Sequence, residues 1–428
     1  MQKKLIALAV AGLSTAAFAQ TNVTIYGVAD VSAQGFNTGK GTQQAGAAEY
    51  NSGSKFGLVS NNSLIGFKGT EDLGNGLKGL FQIETNVNLT GSTNNTSANS
   101  SGVGTGGNLF SSARDSFVGL NSKYGTVLGG YLSTPYRSTI AGLDVMPGST
   151  GAMANHNLFG KANFAAGAAA STNAYGVEGV SYTAAFRTTA IAYAMPTLYG
   201  FNGSIAYTGN GSNSATTCLN NSASCNANQG VSGMSVALGW DGYGVGIRGA
   251  FQQVKANLGV PATANPVLVN GITSYLIGAQ YTGVPGLKVA AAYGRTAAGM
   301  NGQTVGTVGT VGSAKGTQNS VWVGASYRFG NNEPALMYAN NSNMSGLSQN
   351  SNAGATNGQQ VYGGQEGATQ WGARWGYYLS KRTQVYGLVS QVKNNANGTY
   401  DFLGQQSSSP MNGGARVTTY GAGMRTNF

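Results

Sequence analysis

Residues able to do chemistry are few in this chain of 428. His156, its only histidine, stands in Asn155-His156-Asn157 with no serine or cysteine marked as a partner, so it reads as a solvated loop residue rather than a general base. Asp30 and Glu84 could in principle be the paired acids of a hydrolase, but they fall on different segments among basic residues. Gly102 to Gly107 and Gly244 to Gly249 each match GxGxxG without opening a helix of a βαβ unit, which is noise in a chain with 69 glycines. Cys218 and Cys225, in CLNNSASC, lack a nearby histidine or acid to complete a metal site and suit a loop disulfide in an oxidising compartment. No enzyme, cofactor or metal centre is expected.

What remains is a set of dispersed charges, and their spacing depends on the segments that carry them. In YLIGAQYTGVPGLKVAAAY, Tyr275, Ile277, Ala279 and Tyr281 share one parity, and Leu287, Val289, Ala291 and Tyr293 share another run beyond Val284-Pro285-Gly286. A period of two around a tight turn is a β-hairpin. Such runs are predicted at 22–34, 55–69, 76–88, 111–121, 124–132, 187–195, 200–209 and 231–241. They continue at 244–255, 272–283, 287–296, 319–329, 333–342, 368–379, 382–393 and 415–428. About sixteen strands is an even number, as a closed transmembrane antiparallel β-barrel requires. Short connections alternate with long Gly/Asn/Ser/Thr loops at 35–54, 89–110, 133–186, 210–230, 256–271, 297–318, 343–367 and 394–414, the asymmetry of the two rims of such a barrel. The low-complexity TVGTVGTVG, Thr304 to Gly312, falls in one of them.

Composition agrees. Charged residues are 8% of the chain, against roughly 25% for a soluble protein. Mean hydropathy is −0.12, and no run after the first twenty residues approaches a spanning helix. The greasy parity of each strand therefore faces lipid, where only helices and closed sheets satisfy every backbone group. Lys3-Lys4, the apolar run Leu5 to Leu13 and Ala17-Phe18-Ala19 read as a signal peptide over 1–19, leaving one barrel domain over 20–428. The mature chain would carry 21 basic against 12 acidic residues, too sparse and unclustered for a nucleic-acid partner.

Trp371, Trp375 and Tyr377 mark an outward parity, as do Val321, Val323, Tyr327 and Phe329. The inward set then holds Lys68, Lys78, Arg114, Arg248, Lys288, Arg328, Arg374 and Arg425, against Asp30 and Glu84. A barrel of this size encloses water, and a wall of one sign makes it mildly anion-selective. Asp115 would point outward at lipid, and a protein neighbour would remove that difficulty, so the early strands read as a subunit interface; a rim position or a slip in parity are the alternatives.

SLIGFKGTEDLGNGLKGLFQIE (Ser63 to Glu84), RDSFVGLNSKYGTVLGGY (Arg114 to Tyr131), AIAYAMPTLYGF, YYLSKRTQVYG and the terminal YGAGMRTNF resemble the trimeric general porins of Gram-negative bacteria, above all their β-proteobacterial and neisserial branch. The resemblance implies a homotrimer of sixteen-stranded barrels in outer-membrane lipid and lipopolysaccharide, passing small hydrophilic solutes and inorganic ions. It also implies a long third loop folded into the bore. GLDVMPG, Gly142 to Gly148, matches the segment that sets acids opposite wall arginines, with Asp144 at one acid position and Gly148 at the other. Arg114 and Lys68 match the basic side, Leu64 and Gly130 replace two family arginines, and Arg187 lies one residue from a third. A transverse field between Arg114 and Asp144 follows from that match. Phe428, with Met424 and Tyr420 on its face, resembles the signal that barrel-assembly machinery reads. A substrate-specific sugar or anion channel and a surface adhesin are the other readings; loops poor in aromatics argue against the sugar channel.

Overall fold

The computed structural model describes residues 22–39, 41, 53–90, 110–146, 151–163, 181–183, 187–209, 231–256, 268–301, 314–345, 365–396, 398–402 and 413–428. The leader at 1–19, Cys218, Cys225 and Gly148 lie outside the described residues.

Sixteen staves close into an antiparallel barrel. They are β1 (Asn22–Thr38), β2 (Gly53–Ser60 continued by Leu64–Gly74), β3 (Leu77–Val87), β4 (Phe110–Ala113 continued by Ser116–Ser122) and β5 (Gly125–Ser133). After a helix, α1 (Pro135–Leu143), follow β6 (Arg187–Ala194), β7 (Phe201–Thr208), β8 (Val231–Gly242), β9 (Val245–Ala256) and β10 (Leu268–Tyr281). The set ends with β11 (Leu287–Asn301), β12 (Ala314–Tyr327), β13 (Asn332–Asn341), β14 (Ala368–Tyr378), β15 (Thr383–Asn394) and β16 (Arg416–Asn427). Every predicted strand is present. Several run further into the long loops than the alternation of apolar residues does, because a hairpin above the membrane needs backbone pairing but no greasy face.

Alternation becomes two faces. Val23, Ile25, Val118, Ile191, Leu238, Ile277 and Leu336 lie on the outside, each at least half exposed. An apolar surface this continuous requires hydrocarbon around it. Aromatics rim it at both levels: Tyr275 and Tyr281 stand six residues apart on β10, about 20 Å along a strand. Three of the short turns use a residue pair with positive φ, Asn75-Gly76, Tyr199-Gly200 and Tyr243-Gly244, the form whose twist suits a two-residue hairpin.

Closure runs from Val28–Asn427 to Thr38–Val417 between β1 and β16. Buried behind it, the Asp30 carboxylate accepts from Tyr386 Oη at 2.6 Å and Asn61 Nδ2 at 3.3 Å, and pairs with Arg425 at 3.3 Å. Asn61 belongs to the kink that divides β2, so the kink, both terminal staves and β15 meet at one carboxylate. Asp30→Asn keeps the acceptor and removes the charge. It is expected to cost about 1–2 kcal/mol, read as a lower unfolding midpoint in urea at unchanged slope.

At the long-loop rim a clasp of amides ties neighbouring connections together. Asn343 Oδ1 accepts from Asn395 Nδ2 (2.7 Å) and Gly367 N (3.1 Å), and Asn394 Nδ2 donates to Tyr400 O and Ala415 O, both at 2.9 Å. Tyr400 Oη reaches Gln318 on β12 at 2.9 Å.

Candidate functional site

The third loop enters the barrel and lies on one side of its wall. Pro135 sets the first turn of α1, and Thr134 caps it by accepting from Arg137 N at 3.2 Å. The helix buries Tyr136, Ile140 and Leu143 against β8 to β11, where Ser235 Oγ accepts from Tyr136 N at 3.0 Å. Beyond it Ser326 Oγ donates to Val145 O (3.1 Å), Gln370 Nε2 to Ala152 O (2.9 Å), and Asn341 Nδ2 to Leu158 O (2.8 Å) and Lys161 O (3.0 Å). The inner side of β8 to β14 is thus carpeted, and these tethers go to that half of the wall rather than to β1 to β6.

The wall of β1 to β6 carries the basic node. Arg114 Nε bonds Glu84, and its Nη1 donates to Asn62 (2.8 Å) and Asn86 (2.9 Å). Tyr26 Oη donates to the second Glu84 oxygen at 3.0 Å, and Lys68 Nζ stands 5.1 Å from the Tyr26 ring centre. Arg187 Nε pairs with Asp115 at 3.1 Å, and the same carboxylate takes Ser133 N (2.5 Å) and Ser133 Oγ (3.1 Å). The Asp115 expectation is corrected here. β4 is interrupted at Arg114 and Asp115, so strict alternation fails there, and the acid has partners in its own barrel without any neighbouring subunit.

The predicted opposition of Arg114 and Asp144 is also corrected. Asp144 is 5% exposed; its oxygens accept from Met146 N (3.0 Å) and Asn155 N (3.3 Å), stapling the loop to itself instead of facing the bore. Burial is the main cause that pushes its carboxyl up to about 7, against the loop amides and the charges of Lys288 and Arg374. Lys288 is likewise a tether: its ammonium donates to Gly142 O (2.9 Å) and Asp144 O (2.7 Å), the carbonyl end of α1. His156, expected in solvent, is half-buried within the barrel, and burial with the charges of Arg137, Lys161 and Arg187 pushes its ring down to about 3.

The remaining predicted residues are dispersed. Arg248 pairs with Asp241 at 2.6 Å near the short-turn rim. Arg328 lies 3.8 Å over the Tyr378 ring. Arg374 is buried over Tyr386 and bonds Gln384, while Arg425 joins the Asp30 cluster. Tyr420, Met424 and Phe428 share the outer face of β16, and Phe428 exchanges both backbone bonds with Gly27 (2.9 and 3.0 Å). The reading from sequence missed Arg137 in α1, whose guanidinium lies in the field of Arg187, Arg114 and Asp115. Its signal was its place four residues past the end of β5.

A profile of the family described as Gram-negative porin matches residues 5–397. The chain belongs to that family. Among curated relatives, this porin is 37% identical over 139 residues to the major outer membrane protein P.IB of Neisseria lactamica, covering 32% of this chain and 35% of that one. It is 36% identical over 145 residues to P.IB of Neisseria gonorrhoeae, covering 34% and 36%. The chain thus spans about a third of the length of the curated relatives it matches. Among solved structures, the barrel superposes on an anion-selective porin from Comamonas acidovorans with TM-score 0.64 and 23% identity, covering 96% of this chain and 100% of that one. Salmonella typhi OmpF in complex with daunomycin gives TM-score 0.55 at 18% identity, over 95% and 98%. These two likenesses concern the fold. Family and barrel together place this porin in the outer membrane.

Proposed function

We propose that this porin is a general diffusion channel for small hydrophilic solutes and ions, mildly selective for anions, working without chemistry of its own as a homotrimer in lipid and lipopolysaccharide. The observation that carries the reading is the uneven bore: Arg114, Arg187 and Lys68 stand on its open wall, while the third loop's Asp144 is turned away from it. Two solved structures of the same fold support the reading: the Comamonas acidovorans protein is an anion-selective porin, and one structure of Vibrio cholerae OmpT is of a trimer form. A field of one sign enriches counter-ions by a few kT where salt is low, and screening over about 10 Å at 0.1 M weakens it. In planar bilayers under a KCl gradient the reversal potential is expected to take the anion-selective sign and to shrink as salt rises. A cation-selective sign would overturn the reading of the wall, and absence of conductance would overturn the channel itself.

A further inference from the structure

We propose that Lys393 and Arg416, on the outer face of β15 and β16, form a binding site for the phosphate of an outer-leaflet glycolipid. The inference rests on the reading above for the lipid that surrounds the barrel and not for conduction through it.

Register brings the two cations together. Lys393 and Arg416 are directly opposite each other across the β15–β16 ladder, both exposed, on the outward parity that Tyr420 and Met424 mark on β16. Asn394 N bonds Ala415 O, and Arg416 O is taken by Gly39 N on the other side. The pair is therefore of the non-hydrogen-bonded kind, with Cβ atoms about 5 Å apart. On the rung beneath, Gln391 Nε2 donates to Thr418 Oγ1 at 2.9 Å, a neutral floor. Like charges directly opposite are unfavourable unless an anion lies between them. No described carboxylate does so. Neither cation has an ion pair among the described residues, while Glu366 accepts from Met344 N (3.3 Å) and Asp401 from Phe402 N (2.6 Å). Glu49, in the connection after β1, lies outside the described residues.

Height on the barrel selects the ligand. Trp371 faces Gln391 across β14 and β15, and Lys393 is the next outward residue, about 7 Å further along the strand. Arg416 stands two outward residues beyond Tyr420. Trp371 and Tyr420 are exposed aromatics on the long-loop side, so the pair stands just beyond the hydrocarbon, level with the headgroups of the outer leaflet. Charge there has one sign. The other outward cations among the described side chains, Lys255 on β9 and Arg295 on β11, lie toward the same rim, whereas the short-turn rim mixes Glu71 and Asp72 with Lys381 and Arg382. A free anion would leave the aromatic step below the pair unused. A phosphorylated lipid fills both, its phosphate between the two cations and its chains along Trp371 and Tyr420.

The test folds the full chain into phosphatidylcholine vesicles doped with lipid A or with dephosphorylated lipid A, extracts it in neutral detergent and counts the retained glycolipid by mass spectrometry. Wild type is expected to retain the phosphorylated form about tenfold over the other. Lys393→Gln/Arg416→Gln is expected to lose most of that preference, and Lys381→Gln/Arg382→Gln, which removes the same charge at the opposite rim, to keep it. Equal retention of both lipids by wild type would overturn the proposal, a comparison that needs no variant to fold. So would an unchanged preference in Lys393→Gln/Arg416→Gln, an equal loss in the short-turn variant, or displacement of the glycolipid by inorganic phosphate at equal concentration, which marks a site for any anion. A wild type that retains the lipid but conducts no ions would instead defeat the channel reading and leave this site standing.

Discussion

Gly130→Arg is expected to destabilise the barrel strongly instead of simply recharging the bore. The position is one where the family pattern carries arginine, and the sequence alone makes its glycine look like a missing charge. The backbone there has φ +151°, and a Cβ would lie 2.4 Å from Ser116 O and 2.7 Å from Phe117 Cα. Phe117 is its partner across the β4–β5 ladder, so relief requires separating two paired staves. Overlap with backbone, unlike overlap with a flexible side-chain tip, has no cheap escape, and the cost is expected to be about 3 kcal/mol or more. The fraction of protein that stays compact on unheated denaturing gels reads it directly. A Gly130→Arg variant as folded as wild type would show that the ladder opens easily and that this account of the glycine is wrong.

Acidification is expected to tighten the third loop, and Asp144→Asn to abolish that response. The docked loop holds Asp144 with its carboxyl raised to about 7, whereas a solvated aspartate titrates near 4. The docked form therefore binds the proton more strongly than the open form. Docking is weakest with the ionised group above pH 7, gains as pH falls from 7 toward 4, and changes no further below both values. Asp401, raised to about 7 by burial, adds the same sign; Lys161, lowered to about 8 by burial, adds the opposite one at higher pH, and His156, lowered to about 3, opposes docking once pH falls below about 6.5, where the open loop's imidazole would take a proton. Intrinsic-rate-corrected amide exchange of residues near Met146 and Asn155 is expected to slow by about a factor of a few between pH 8 and pH 6.5 in wild type, above the range where His156 opposes it. In Asp144→Asn that part of the response should vanish. Equal pH dependence in both proteins would show that Asp144 does not govern docking.

The staves were legible because a two-residue period and the avoidance of charge on one parity are imposed by lipid along the whole segment, as Tyr275 to Tyr281 show. Legibility failed where that constraint lapses. Arg114 and Asp115 lie at an interruption of β4, so counting parity through them put the acid on the wrong side. Asp144 lies in a loop without a period, and its direction is set by Met146 and Asn155 amides that only the folded loop brings together. Arg137 has the same cause: its neighbours come from β4 and β6, remote in sequence. Lys288 entered the reading from sequence as a charge of the pore wall, and nothing in its strand signals that α1 ends on its ammonium.

The amide clasp at the entrance has one more implication. Asn343, Asn394, Asn395 and Tyr400 hold their partners through uncharged groups, whose attraction electrolyte hardly attenuates. Brine and near-distilled water should therefore leave these contacts, among the described residues of that rim, unchanged. Under the proposed anion preference, discrimination between ion signs fades with concentration while this latch persists, so a cell facing osmotic swings would see the channel's charge change its effect without this part of its rim changing form.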